Sequence, residues 1–281
     1  DLVRSRGLGD VYKRQVHMQS CDINLAKGRE MLIITHCQEG RIEFEYKNGE
    51  YLYLASGDLS IQKNTENIRH RYCPLSHYHG VSVAIDMNRV PRCFSCILDD
   101  VFVSPEELEM KFCSEKPYSI MRENISIEHI FSELYSVPEN IRKGYHKVKV
   151  LELLLFLSGL EYKGESEERR YFSRSQVTAA KEAKKYLLAH LDEHITITEL
   201  ADMLGISSTS LKICFKGVYG DTINGYITNC KMQKAASLLK NTDKSVLEIA
   251  GIVGYNNGSK FAGAFRRVMN KSPNEYRKSL V

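Results

Sequence analysis

The last third of the chain contains an internal repeat, which constrains the fold more than a single motif can. One copy covers residues 196–219 and the other covers residues 245–269. Each copy has a Ser or Thr followed three residues later by Glu, the capping box that begins a helix. A glycine then ends the short helix, and two apolar residues spaced by four anchor a second helix. The repeat predicts two helix pairs, each joined by a glycine turn.

The copies agree wherever a tight helix pair needs a particular side chain. From the turn glycine to the first anchor is one residue longer in the second copy, so we expect a longer second turn. The matching residues are Thr196 and Ser245 at the caps, Glu199 and Glu248 after them, Ala201 and Ala250 at the helix crossing, Gly205 and Gly254 in the turns, Ile206 and Tyr255 beside them, and Leu211, Phe215, Phe261 and Phe265 as anchors.

One such pair could be merely structural, but two in phase with basic second helices favour DNA binding. Residues 222–240 between the copies predict a long helix. A helix of that length suits a strut that holds two recognition helices roughly 34 Å apart, one turn of DNA. We therefore interpret the repeat as two helix-turn-helix units in tandem.

Charge is distributed unevenly along the chain. From Arg174 onwards there are 16 Lys and Arg against 9 Asp and Glu, whereas residues 1–173 carry 23 against 26. This distribution is typical of a nucleic-acid-binding module joined to another domain, although a solvated basic surface has the same signature. No apolar run reaches the roughly 18–20 residues of a membrane span, and no signal-peptide pattern is present. With eight scattered cysteines, these features favour a cytoplasmic protein without membrane contact.

The N-terminal half combines strand and helix patterns. Residues 31–86 contain short β-favourable runs, and Asn48-Gly49 is a strong hairpin signal. Ser104 before Pro105 predicts a helix start, and further helical patterns extend to residue 160. Residues 147–160 contain more apolar side chains than one buried face of a helix accommodates, so we expect that helix to be buried or to pack on a second subunit.

Residues 10–15 resemble one translated frame of a transposase adapter used in sequencing libraries. We therefore set residues 1–15 aside as an assembly artefact. The alternative is a genuine disordered tail.

Residues from about 181 to 280 resemble the DNA-binding domain of the AraC/XylS family of bacterial regulators. The residues that carry the resemblance are Leu200, Ala201, Gly205, Leu211, Phe215, Lys216, Gly220, Ala235, Leu238, Leu239, Ile249, Ala250, Val253, Gly254, Tyr255, Ser259, Phe261, Phe265, Arg266, Arg267 and the run Ser272-Pro273-Asn274-Glu275-Tyr276-Arg277. The resemblance implies that the second helix of each unit enters the major groove of DNA.

The resemblance also implies which positions contact DNA. The base-reading positions are Thr209, Lys212 and Ile213 in the first unit, and Asn257, Gly258, Ser259, Lys260 and Gly263 in the second. Ser208 belongs to the same DNA-binding set, and Lys216, Arg266 and Arg267 suit phosphate contacts. Three positions depart from the family pattern: Gly263 and Ile213 replace longer polar or basic side chains, and Cys230 replaces an arginine. The second helix-turn-helix unit is therefore expected to depend more on DNA shape.

The strand-rich segment is similar to the cupin-like sensor domains of this family. The predicted fold class is thus α+β, with a cupin-like antiparallel β-barrel and helices followed by an all-α domain of two helix-turn-helix units joined by a long helix. The predicted domains are a sensor domain at 16–103, a helical dimerisation or packing segment at 104–160, a linker at 161–175 and a DNA-binding domain at 176–281.

The sensor domain offers three candidate chemistries. His77 and His79 lie two apart near His36, Glu43 and His70 in sequence, but no third metal ligand has suitable spacing, so we predict no metal or cofactor. The Cys93 and Cys96 pair has neither a second pair nor a thioredoxin-like context. Aromatic residues here are more often core than pocket. The candidate ligand-pocket residues are Phe44, Tyr46, Tyr53, His77 and His79.

Together these patterns predict a DNA-binding transcriptional regulator that responds to a small-molecule effector. Its expected partners are double-stranded DNA, the effector, RNA polymerase and a second copy of the chain. One alternative is a constitutive DNA binder whose N-terminal half only dimerises. The other is an enzyme, either a cupin-type metalloenzyme or a DNA-alkylation repair protein, but the first lacks a ligand triad and the second lacks a recognisable nucleophilic cysteine motif.

Overall fold

The computed structural model describes residues 2–5, 9–16, 30–63, 68–89, 103–122, 125–162 and 172–279. The chain divides into two compact units, Asp1–Tyr171 and Phe172–Val281. All the strands described lie in the first unit, and the second is built from helices, so the predicted α+β class is confirmed. The division between the units falls inside the segment 161–175.

The described strands of the first unit form a curled antiparallel sheet. Its strand order is β1-β2-β7-β3-β5-β8, and β4 and β6 both pair with β3 beside this path. The strands are β1 (Leu2–Ser5), β2 (Gly9–Val16), β3 (Met31–Tyr46), β4 (Tyr51–Ala55), β5 (Leu59–Lys63), β6 (Ile68–Tyr72), β7 (Tyr78–Asp86) and β8 (Tyr118–Met121).

The long strand β3 lets the sheet curl. The sequence predicts short β-favourable runs here, but the structure has a single strand of 16 residues. Its pairing with β7 shifts between Cys37 and Glu39, and Gly40 follows with a φ of +80°. A Cβ on Gly40 would lie 2.2 Å from the carbonyl oxygen of His77, so the neighbouring backbone leaves no room for a side chain there. The first half of β3 pairs with β5 and β7, and the second half pairs with β4 and β6.

Strand β1 and all but the last residue of β2 lie in the segment 1–15 that we set aside as an assembly artefact. β2 pairs with β7 from Asp10 opposite Ala84 to Val16 opposite Tyr78. Strand pairing does not reveal where a segment comes from, so its origin stays a prediction.

Among the residues described, three helices cover one face of the sheet, which we call the helix face. They are α1 (Pro105–Cys113), α2 (Ile125–Leu134) and α3 (Arg142–Gly159). Ser104 accepts a hydrogen bond from the Glu107 N–H before Pro105, so the predicted start of α1 is confirmed. The largest buried cluster combines Leu32, Ile34, Leu59, Ile61, Val81, Val83 and Ile85 of the strands with Leu108, Phe112, Ile130, Phe131, Leu153, Leu154 and Leu157 of the helices.

The opposite face of the sheet, which we call the inner face, carries a second cluster. Strand register shows which residues lie on this face. Leu59 and Ile61 belong to the helix face, so Ser60 between them lies on the inner face, and Ile120 lies there too because it is paired with Ser60. The members of the inner cluster are Cys37, Ile42, Phe44, Tyr46, Leu52, Leu54, Cys73, Tyr78, Tyr118 and Ile120.

The second unit consists of seven helices in the residues described. They are α4 (Arg174–Ala189), α5 (Ile197–Met203), α6 (Ser208–Tyr219), α7 (Ile223–Asn241), α8 (Val246–Ile252), α9 (Gly258–Met269) and α10 (Pro273–Lys278). The helix pairs α5–α6 and α8–α9 are those that the repeat predicts, and α7 is the predicted long helix between them.

The caps of these helices follow from local sequence. The predicted capping boxes at Thr196 and Ser245 are formed, and so is a third at Ser272, each with both reciprocal hydrogen bonds present. A fourth box, which the sequence reading missed, joins Ser173 and Gln176 at the start of α4. Four such boxes give the second unit well-defined helix starts, each satisfying backbone N–H groups that would otherwise lack partners.

Candidate nucleic-acid interface

The second helices of the two pairs have matching residue spacings when their sequences are aligned at the N-caps. Ser207 caps α6 and Asn257 caps α9, and the first buried anchor follows four residues after each cap. The extra residue of the second pair therefore lies in the turn, as its glycine-to-anchor spacing predicts. Gly205 and Gly254 both have positive φ, +64° and +77°, which explains the glycine in each turn.

Helix α6 buries one side and exposes the other. Leu211, Cys214, Phe215 and Val218 are each fully buried. The exposed side carries the predicted DNA-contacting residues Thr209, Lys212 and Lys216, with Ser208 and Ile213 half-buried along its edge. A spacing of three and four residues places these side chains on one face of the helix.

Helix α9 has the same division. Phe261, Ala264 and Phe265 are buried, and the predicted DNA-contacting residues lie opposite them. Ser259, Lys260, Gly263, Arg266 and Arg267 are exposed, and Gly258 is half-buried. Neither α6 nor α9 contains an Asp or a Glu, so the exposed faces of both helices are cationic.

Asn257 has a structural role that the sequence reading did not assign to it. Its Oδ1 accepts a hydrogen bond from the Lys260 N–H at 2.9 Å, which makes it the N-cap of α9. Its amide group has two further N–H donors. A capping amide at the start of a recognition helix can therefore hold the helix and still donate to an acceptor outside the chain.

The cap alignment also brings out two positions that the sequence reading left out, Ser210 and Ala262. Ser210 matches Lys260, and Lys212 matches Ala262. Ser210 accepts a hydrogen bond from the Gln176 side chain of α4 at 3.1 Å. Lys212 thus lies five residues after the cap of α6, whereas Lys260 lies three residues after the cap of α9. This difference is visible only when the two helices are aligned by their caps.

Helix α4 packs against the back of α6. The Cys214 thiol donates to the Gln176 carbonyl oxygen at 3.0 Å. A Cβ on Gly217 would lie 2.2 Å from the buried Phe172 ring, so glycine is needed for this close approach. The second pair packs instead on α7, in a cluster that joins Met232, Ala235, Ala236 and Leu239 to Ile249, Ala250, Val253, Phe261, Ala264 and Phe265.

The five candidate ligand-pocket residues of the first unit are not brought together. Phe44 and Tyr46 belong to the inner cluster, and the Tyr46 ring stacks on Tyr118 at 4.6 Å. Tyr53 is paired with Glu43, so it lies on the opposite face from Phe44, and its hydroxyl donates to the Glu43 carboxylate at 2.6 Å.

The two candidate histidines also lie apart from the inner cluster. His77 contacts Glu39, with 3.1 Å between Nε2 and the carboxylate. The ring of His79 meets Tyr135, which follows α2, edge-on at 5.0 Å. Only Phe44 and Tyr46 of the five candidates therefore face the interior of the curl.

Four buried polar side chains share the inner face, and the sequence reading missed them. Thr35, Ser60, Gln62 and Ser82 are each at most 8% exposed. Register places Thr35 opposite both Ser60 and Ser82, and a hydrogen bond of 3.0 Å joins Thr35 to Ser82. Ser60 and Gln62 are buried on this face although both side chains are polar.

The described histidines and cysteines do not form a metal centre. Among the residues that the structure describes, no group of three or more His, Cys, Asp and Glu could hold a metal ion. His36 stacks on Phe131, and burial lowers its pKa to about 4, so its imidazole is neutral at pH 7. Cys93 and Cys96 lie outside the described residues.

Within the described ranges, no helix is both long and apolar enough to cross a membrane.

Comparisons with known proteins agree on the C-terminal region. Residues 200–279 match the family described as "Helix-turn-helix domain". The xylose operon regulatory protein of Escherichia coli K12 is 31% identical over 153 residues, covering 51% of this chain and 39% of that protein. The melibiose operon regulatory protein of the same strain is 30% identical over 93 residues, covering 33% of this chain and 31% of that protein.

The chain thus spans well under half the length of these relatives. Among solved structures, the C-terminal domain of AraT, a response regulator from Geobacillus stearothermophilus, is 32% identical. That match covers 36% of this chain and 84% of that chain, with a TM-score of 0.35. The family match and these relatives thus assign the C-terminal region, residues 200–279, to an AraC-type helix-turn-helix domain.

Proposed function

We propose that this chain is a sequence-specific DNA-binding regulator of transcription that reads DNA with α6 and α9. The observation that carries the proposal is the pair of cap-aligned helices, each with a buried apolar side and an exposed cationic side free of carboxylates. DNA phosphates favour such surfaces electrostatically. The N-terminal part of a recognition helix is also the part that meets base edges in the major groove.

The proposed contacts divide into base readers and phosphate contacts. Near the helix starts, Thr209, Lys212 and Ile213 of α6 and Asn257, Ser259 and Lys260 of α9 read bases, while Gly258 and Gly263 allow close approach of the backbone. Lys216, Arg266 and Arg267 lie further along and bind phosphates, and Ser208 at the first turn of α6 completes the set. Helix α7 has 19 residues and is about 28 Å long, which suits two helix-turn-helix units in successive major grooves.

The test is selection of bound duplexes from a random pool, followed by measurement of variant affinities against salt. Lys212→Ala and Lys260→Ala should weaken binding to different positions of the selected site, because a base contact is worth about 1–3 kcal/mol of discrimination. Arg267→Ala should weaken binding to all sequences alike and reduce the salt slope by about 1. Lys185→Ala removes an exposed charge from α4 and serves as the matched control.

One result would contradict the division into base readers and phosphate contacts. It is wrong if Lys260→Ala and Arg267→Ala change affinity equally across the selected sequences. A wild-type chain that enriches no sequence at all would overturn the proposed function itself.

For the first unit we propose a cupin-like sensor that binds a small polar effector on its inner face. Buried Thr35, Ser60, Gln62 and Ser82 offer hydroxyl and amide groups beside the aromatic rings of the inner cluster, a combination common in small-molecule sites. A thermal-shift screen of metabolites tests this, because a ligand that binds the folded state raises the melting temperature. Gln62→Leu should abolish the shift, and Tyr53→Phe on the opposite face should leave it intact.

The remaining proposed partners are RNA polymerase and a second copy of the chain. Val148 of α3 is 62% exposed although its helix is otherwise rich in buried leucines, which supports a subunit contact there. Sedimentation of the wild type against Val148→Asp measures this directly. A constitutive, dimeric DNA binder is the competing function, and a stabilising ligand in the thermal-shift screen would count against it.

A further inference from the structure

The turn of the second helix pair is packed against other parts of the second unit, whereas the turn of the first pair is open. Gly254 and Gly205 are matching residues of the repeat, and both have positive φ. A Cβ on Gly205 would have no heavy atom within 4 Å. A Cβ on Gly254 would lie 2.8 Å from the carbonyl oxygen of Asp192 and 3.0 Å from Nζ of Lys231. Only the second glycine is therefore required by its surroundings as well as by its φ.

The three residues of this contact come from three different parts of the second unit. Asp192 lies in the loop between α4 and α5, so it belongs to the segment that leads directly into the first pair. Lys231 lies near the middle of α7, and Gly254 lies between α8 and α9. We call this meeting of Asp192, Lys231 and Gly254 the turn contact.

Lys231 is held there by more than chain connectivity. Its Nζ lies 5.7 Å from the centroid of the Tyr255 ring, and that ring meets Phe261 of α9 edge-on at 5.7 Å. Burial lowers the pKa of Lys231, while the nearby Asp192 carboxylate opposes that shift. A chain of contacts thus runs from the first pair's leading loop through α7 to the recognition helix of the second pair.

We propose that the turn contact is a positioning device that fixes the second helix pair against the first, and so sets the spacing and rotational phase of the two DNA half-sites. The inference rests on the proposed DNA-binding function. Helix α7 packs on α6 through the ring of Tyr226, which meets the rings of Phe215 and Tyr219, and it packs on α8 and α9 through its C-terminal half. The turn contact adds a direct link between the loop that leads into the first pair and the turn of the second pair, and so limits bending of α7 and rotation of one pair relative to the other.

Fixed phase matters because one added base pair rotates a half-site by about 36° around a helix of roughly 10 base pairs per turn. A rigid protein loses contacts with each such rotation, whereas a pivoting protein follows the displaced half-site. Residues of the turn contact should therefore control tolerance of altered spacing while making no DNA contact themselves.

The experiment uses the full chain and the duplex that the wild type selects. Affinity is measured for that duplex and for versions with one or two base pairs inserted or deleted between the half-sites. Gly254→Ala is compared with Gly205→Ala, which imposes the same φ strain in open space. Lys231→Met is a second variant that keeps the apolar stem, removes the charge and leaves glycine in the turn.

We expect the wild type and Gly205→Ala to discriminate strongly between spacings, by about tenfold or more when contacts worth about 1.4 kcal/mol are lost. Gly254→Ala and Lys231→Met should reduce that discrimination severalfold and keep the salt dependence of binding, since the phosphate contacts remain. If both variants keep the wild-type discrimination, the turn contact is not a positioning device although the DNA-binding function stands. If the wild type selects no duplex, both proposals fail together.

Discussion

The two helix pairs of the second unit have the same local design and different support. Each begins at a capping box, turns at a positive-φ glycine and anchors its second helix four residues after the cap. Behind α6 lies α4, with Phe172 against Gly217 and Gln176 bonded to Ser210. Behind α9 lies the C-terminal half of α7, joined by α10 through the contact of Phe265 with Tyr276. Equal local sequence therefore does not imply an equal environment for the two recognition helices.

The largest expected effect tests whether the two supports are equally strong. Phe215 and Phe265 occupy matching positions, and both are 0% exposed. Phe215→Ala and Phe265→Ala should each lower the free energy of unfolding of the second unit by about 3–5 kcal/mol, through lost burial and a cavity. Urea unfolding followed by far-ultraviolet circular dichroism measures both. A loss below about 1 kcal/mol at either site would show that its helix is not held by this core.

A smaller effect should have opposite signs in the two recognition helices. Gly217→Ala in α6 forces a methyl group against the Phe172 ring, which costs about 1–3 kcal/mol of stability if the ring cannot move aside. Gly263→Ala in α9 enters open space and should add about 0.5–1 kcal/mol, because alanine favours a helix over glycine.

Melting temperatures of these two glycine variants give the sign directly. Equal signs would remove the proposed difference in how closely the helices are packed from behind. Gly144→Ala in α3, which also has nothing within 4 Å of its Cβ position, is the matched control in the first unit.

The smallest effect should be alike in both pairs. Hydrogen bonds from Thr196 lower the pKa of Glu199, and those from Ser245 lower the pKa of Glu248. A carboxylate whose pKa is lower in the folded state stabilises the fold above its unfolded pKa of 4.5, and this contribution is lost as pH falls through the folded value. Glu199→Gln and Glu248→Gln should therefore each flatten the acid limb of a stability–pH curve slightly and equally.

The same acid titration could contradict the assumed symmetry of the caps. Glu193 is an exposed carboxylate outside any capping box and provides the control as Glu193→Gln. Flattening in only one of the two capping variants would mean that one box contributes nothing in solution.

Features set by neighbours in the chain could be predicted well. The capping boxes at Thr196 and Ser245, the turn glycines and the longer second turn depend on residues within about one helical turn of each other, so the sequence predicts their spacing. The start of α1 at Ser104 is of the same kind. The predicted DNA-contacting side chains of α6 and α9 lie opposite the buried anchors, because helical periodicity fixes faces.

Features set by distant residues could not be predicted. The burial of Ser60 and Gln62 depends on what packs against the inner face of the sheet, and their neighbours in the chain do not indicate it. Tyr53 reads as a neighbour of Phe44, and the register places them on opposite faces. The hydrogen bond between Gln176 and Ser210 joins residues that are 34 positions apart, and no local sequence pattern predicts it.

The sequence alone determined two helix pairs, their caps, their turns and the cationic sides of their second helices. Those features rest on hydrogen bonds and apolar spacings within a few residues, which the order of side chains dictates directly. Only the tertiary structure decided which polar residues are buried in the sheet and why Gly254, unlike Gly205, has Asp192 and Lys231 against it. Burial and close approach depend on what packs against each face, and that comes from segments far away in the chain.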